Sequence, residues 1–251
     1  MFVFTKDVSN DYWQPSPLAA GPFTGLQGGA VAGLLTAEIE ALASDCGLGA
    51  AANASVWFLK PTPMVPLRTE LKVLQKGGRV TIIDNTLYIA GEETPTATAR
   101  VLLLKERAVG SSDLSWTPTL KVEPSRLPQI KRPAPHGGPW FMDAMDVHSN
   151  GDTTWFRVHT PVTENAGAMA RFLGPADWAH GINRPRHNVL ADPNPNLSVH
   201  LFRPPHGEWI GVQANTCWAT ETGCGHGRGV LWDEHGEIGS VAMSVALKPL
   251  R

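Results

Sequence analysis

The stretch VWFLKP, Val56 to Pro61, returns later in the chain as VHLFRP, Val199 to Pro204. Each copy reads as a short β-strand, rich in β-branched and aromatic residues and stopped by a proline. The likeness spreads outward from there. Leu87-Tyr88 with Gly91 downstream corresponds to Leu231-Trp232 with Gly236, and in both copies about 30 residues separate the matched proline from the matched glycine. Self-similarity in one order predicts an internally duplicated protein.

Upstream of the first copy lies GLQGGAVAGLLTAEIE, Gly25 to Glu40. Val31, Leu34, Leu35, Ile39 and Leu42 recur at three- and four-residue steps with Glu38 and Glu40 between them, which predicts an amphipathic helix from Gly29 to about Ala43. Four strand-like runs follow: SVWFLKP, LRTELKVLQKG, RVTIIDNTLYIAG and TATARVLLLKE. In the second half, PWFMDAMDVHSNG and TTWFRVHTPVT read as two strands joined by a turn. A helix is expected around ENAGAMARFLGPADWAHG, kinked or divided at Gly174-Pro175. Four more strands then follow in NLSVHLFRP, EWIGVQANTCWAT, HGRGVLWDE and EIGSVAMSVALKP.

A helix and several antiparallel strands bury one another when the sheet wraps around the helix, an α+β solution. Two copies place two sheets edge to edge with two central helices. The predicted division is an N-terminal repeat over 1–107, a Ser-, Pro- and Lys-rich connector over 108–137, and a C-terminal repeat over 138–251.

With 42% hydrophobic and 18% charged residues, the 251-residue chain can bury a sizeable core. A net charge of -2 gives no general attraction to nucleic acid or to anionic membranes. The opening MFVFTKDVSNDYW lacks the layout of a secretory signal, and no run approaches the roughly 20 apolar residues of a membrane span, so a cytoplasmic location is expected. Cys46, Cys217 and Cys224 lack metal-type spacing and read as buried, inert thiols. There is no GxSxG elbow and no glycine-rich nucleotide cradle, and CGHGRG around Cys224 and His226 lacks a fourth ligand for zinc. Neither a metal nor a cofactor is expected. The tryptophans, Trp57, Trp140, Trp155, Trp218 and Trp232 among them, read as core and sheet-face residues, some available to line an internal tunnel.

GLQGGAVAGLLTAEIE, FLKPTPMVPLRTELKVLQKGGRVTIIDNTLY, PADWAHGI and NLSVHLFRPPHGEWIGV together resemble the thioesterase-like superfamily with a double hotdog fold, the TesB-like group around acyl-CoA thioesterase II. The likeness covers most of the chain, and it rests on the order of the motifs rather than on any one of them. The resemblance implies two tandem helix-wrapped antiparallel sheets forming one continuous sheet, an acyl-CoA substrate, no cofactor, and further pairing into a homodimer. It also implies a water oriented by an Asp on the second helix, a Thr or Ser ahead of the RP strand, and a Gln on the last strand. Carried over by motif, the Asp is Asp177, the Thr/Ser position holds Asn194, and the Gln position falls on Met243 or Ser244. Asn194 can still donate and accept hydrogen bonds; Met243 cannot.

For the chemistry, Gly28 and Gly29 admit two readings. They permit a tight start to a packed helix, or they let a substrate carbonyl approach first-turn amides, with the Gly28 and Gly29 amides as the polarising donors. Asp177, beside Trp178 in the expected substrate slot, is read as a desolvated base or as a first-turn helix residue. His180, one turn on, could pair with it or simply pack. Arg184, Arg186 and His187 are read as a grip on coenzyme A phosphates or as an exposed loop, and Lys60 and Arg203 as a similar grip or as sheet-edge caps. The leading expectation is acyl-CoA hydrolysis by Asp-activated water. The alternatives are a non-catalytic acyl-CoA or fatty-acyl binder and, behind it, an enoyl-CoA hydratase.

Overall fold

The computed structural model describes residues 1–110, 122–135, 137–182 and 190–249. The first half runs β1 (Phe4–Asp7), β2 (Tyr12–Pro15), α1 (Gly28–Cys46), β3 (Ala50–Phe58), β4 (Leu67–Lys76), β5 (Val80–Ile89) and β6 (Pro95–Leu104). The second runs β7 (Met145–Ser149), β8 (Thr154–Val158), α2 (Ala168–Asp177), β9 (Leu190–Ala191), β10 (Asn196–Leu201), β11 (Trp209–Ala219), β12 (Cys224–Asp233), β13 (Gly236–Ala246) and β14 (Lys248–Pro249).

Twelve of these strands form one antiparallel sheet in the order β1-β2-β4-β5-β6-β3-β10-β13-β12-β11-β8-β7, while β9 and β14 pair separately. Read outward from the centre, each half repeats the same order. The N-terminal hairpin, which the sequence reading passed over, is thereby matched by β7 and β8. The halves join where β3 and β10 pair antiparallel, with Ser55 opposite Ser198. Their hydroxyls lie 2.9 Å apart. Val56 and Val199, the first residues of the two matched motifs, each follow one of these serines, so the repeat read from sequence places its pseudo-twofold axis at this seam. This is the expected double hotdog.

α1 is 19 residues long, exceeding the expected 15 because helical backbone continues through Ser44-Asp45-Cys46 until Gly47, which turns left-handed at φ 59°. Ala30 to Ala37 are all buried, as a helix enclosed by a sheet and a second helix requires. α2 is not divided: it runs as one helix with Pro175 inside it, two residues before its end. The three cysteines correct the expectation of buried thiols, since all are exposed. Cys46 ends the exposed last turn of α1, and Cys217 and Cys224 occupy outward positions of β11 and β12. No helix among the described residues is long and apolar enough to cross a membrane.

Candidate active site

The helices lie antiparallel, so the end of α2 meets the start of α1. Asp177, the last residue of α2, is 2% exposed and points its carboxylate at that start. Its Oδ2 accepts from the Gly29 N–H at 3.0 Å and from Gln27 Nε2 at 2.6 Å. Its Oδ1 accepts from Asn194 Nδ2 at 2.7 Å. The helix N-terminus supplies both an unpaired amide and a partial positive charge, so a carboxylate is suited to this place. Gln27 completes the cap: its Oε1 accepts from the Ala30 N–H at 2.9 Å.

The glycine pair is required by close approach rather than by unusual backbone angles. A Cβ on Gly29 would lie 2.9 Å from Gly174 Cα and 3.0 Å from Asp177 Cβ, and one on Gly28 would lie 3.1 Å from Asp177 Oδ2 and from Phe58 Cζ. A larger residue at position 29 would push α2 away and take its terminal carboxylate with it.

Burial pushes the Asp177 pKa above the ordinary carboxylate value; a charge on His180 and the donors Asn194, Gly29 and Gln27 pull the other way. His180 is one turn beyond, with Nε2 3.9 Å from Asp192 Oδ2. A carboxylate has about four acceptor positions. Two on Oδ2 and one on Oδ1 are filled, so a further donor would have to come to Oδ1.

The structure brings Asp177, Asn194, Gly28 and Gly29 together and separates others from them. Gly29 is corrected as the carbonyl polariser, because its amide is spent on Asp177. The Gly28 N–H has no partner among the described residues. Of the two positions on the last strand, Met243 is buried and Ser244 is exposed, as strand alternation requires. The Ser244 backbone N–H donates to Asn196 Oδ1. Trp178 is packed edge-on against Trp140 at 5.6 Å and lines neither of the two cavities found beside α2. Arg203 is held in a two-pronged pair with Asp233 and Lys60 lies 3.4 Å from Glu92, so both are engaged in structural pairs. Arg184, Arg186 and His187 lie outside the described residues.

Gln27 escaped the sequence reading. Glutamine is not among the favoured N-cap types, and the signal available was only its place immediately before Gly28-Gly29. Glu40 escaped as well: it accepts from the Met169 and Ala170 N–H groups at 2.8 and 3.0 Å, so α1 caps α2 just as α2 caps α1.

The sequence profile of the acyl-CoA thioesterase C-terminal domain matches residues 105–245, more than half of the chain. The chain belongs to this acyl-CoA thioesterase family. It is TesB-like, and membership places it among thioester hydrolases in general terms. Solved structures agree in fold. A thioesterase candidate from Novosphingobium aromaticivorans is 17% identical over 99% of both chains with a TM-score of 0.72. A hot dog protein of unknown function from Alicyclobacillus acidocaldarius is 16% identical over 99% of this chain and 96% of its own, TM-score 0.70. Acyl-CoA thioesterase II TesB2 from Mycobacterium marinum is 13% identical over 98% and 95%, TM-score 0.68. At such identities the likeness speaks for the fold alone. No curated protein matches the sequence.

Proposed function

We propose that the chain hydrolyses the thioester of an acyl-CoA, with Asp177 as the base. The observation that carries this reading is the convergence of a desolvated carboxylate, the Asn194 amide and the first turn of α1, drawn from positions about 150 residues apart. Water donates to Asp177 Oδ1, with Asn194 beside it, and attacks the thioester carbon as its proton passes to the carboxylate. The developing oxyanion is received at the α1 N-terminus by the Gly28 N–H, the member of the glycine pair whose amide Asp177 does not take. Collapse of the adduct breaks the C–S bond, and the proton held on Asp177 goes to the departing thiolate. The Phe58 ring lies beside Gly28, so this reading requires it to swing aside for the substrate.

The raised pKa suits the task, since a base with a pKa nearer neutrality accepts a proton from water more readily. Asp177→Asn is expected to lower thiol release from a panel of acyl-CoA esters by about 100-fold or more. The fold should persist, because the replacement's oxygen can still accept from Gly29 and Gln27, and a thermal melt checks this. Undiminished hydrolysis by the variant would overturn the assignment. Saturable acyl-CoA binding by the wild-type chain with no thiol release would make it a binding protein instead.

A further inference from the structure

A second chemical environment lies along α2, away from the Asp177 carboxylate. An outer cavity of about 270 Å³ is lined by Arg157, Val158, His159, Arg171 and Glu208. An inner one of about 100 Å³ is lined by Phe141, Val162, Ala166, Ala170 and Pro175 among other apolar groups. Val158 and Arg171 line both, so the guanidinium of Arg171 stands where a polar mouth meets an apolar chamber.

One cation at this junction lacks a direct partner among the described residues. Arg157 is already held by Asp146, with Nε and Nη2 donating at 3.0 and 2.7 Å. Glu208 is largely exposed and lies 3.9 Å from Arg157. The Arg171 guanidinium makes no hydrogen bond or ion pair among the described residues, and its Nε is buried without a partner. Burial pushes its pKa below the usual range, with Glu208, Glu234 and Asp233 opposing at longer range. The Met169 and Ala170 amides in the first turn of α2 are already taken by Glu40, which leaves the guanidinium as a donor for an anion.

We infer that this junction binds a short-chain monocarboxylate, its carboxylate on Arg171 and its alkyl tail in the chamber beside Ala166, Ala170 and Phe141. A guanidinium matches a carboxylate with two parallel hydrogen bonds. One uncommitted positive charge with Glu208 at the mouth suits a monoanion better than a phosphate dianion. The inner chamber is several times the roughly 10–15 Å³ that a single water occupies, which admits a few carbons rather than a long chain. None of Asp177, Asn194, Gly28 and Gly29 lines either cavity, although Gly174, which packs against Gly29, also lines the inner one.

Isothermal titration of the full chain with hexanoate tests the inference, using hexanamide, acetate and inorganic phosphate for comparison. Hexanoate is expected to bind saturably, one per chain, and each comparator at least about tenfold more weakly. Arg171→Gln should weaken hexanoate by about tenfold or more and leave hexanamide unchanged. Ala166→Leu, which fills the chamber, should weaken hexanoate and spare acetate. Asp177→Asn should bind as the wild type does. The inference is overturned by absence of saturable binding, by binding that survives Arg171→Gln, by phosphate binding equally well, or by loss of binding in Asp177→Asn. If Arg171→Gln fails to fold, amide chemical shifts of the wild-type chain decide: hexanoate should move Ala166, Ala170 and Arg171 and leave Gly29 still, and the reverse pattern defeats the proposal.

Discussion

Asp177 is held by three donors and by no acceptor, an arrangement that favours its anion while burial disfavours it. Removing a donor tips that balance. In Gln27→Ala the carboxylate loses its 2.6 Å partner and its pKa rises further. Since the proposed base acts deprotonated, the acid limb of kcat/KM should move to higher pH, and a rate profile across the acid range measures it. An unmoved limb would show that Gln27 does not tune the base. Gly29→Ala has a different effect: its methyl would lie 2.9 Å from Gly174 Cα, a backbone atom that cannot swing away. A loss of about 1–3 kcal/mol in denaturant unfolding is expected. The glycines were legible from sequence as a special place, but the donor's target was not. A first-turn amide serves an incoming oxyanion or a resident carboxylate equally well, and only the position of α2 selects between them.

At the scale of elements, the two helices are tied by reciprocal caps, Asp177 on α1 and Glu40 on α2. Glu40 lies mid-helix and reads in sequence as the polar face of an amphipathic stripe. The second helix gives that face a buried partner. Burial raises the Glu40 pKa above its ordinary value, against the pull of its two amide donors. The native state therefore binds more protons than the unfolded chain between the ordinary and the raised pKa, so this group's contribution to stability falls as pH rises through that interval and is flat above it. Glu40→Gln removes the dependence. Urea midpoints should show the wild type gaining on the variant as pH falls from neutrality toward the ordinary glutamate value; a constant difference would contradict the linkage. Glu40→Ala, which leaves two amides without their acceptor, should cost about 1–3 kcal/mol.

For the whole molecule, the decisive feature is the seam between β3 and β10. We propose that the repeats occupy 1–107 and 138–251, and neither can close on itself. Alone, the first would expose β3 as an edge strand and the second β10, and each helix would lose both its neighbour and its cap. Each half expressed separately is expected to be insoluble or to lack fixed near-ultraviolet dichroism, and co-expression should restore a soluble complex. A half that folds alone with a sharp melt would show that the seam is dispensable.

The amino-acid sequence by itself determined the duplication, the order of helix and strands within each repeat, and the likeness to thioesterases, because periodicity and motif order are local properties carried along the chain. It also marked Asp177 and the glycine pair. Tertiary structure alone decided that the Gly29 amide belongs to Asp177, that Gln27 and Glu40 serve as caps, that Met243 rather than Ser244 faces inward, and that the cysteines are exposed. Each of these depends on which surfaces meet across more than a hundred residues, and hydrogen bonds and burial follow from proximity in space, on which residue type and spacing along the chain are silent.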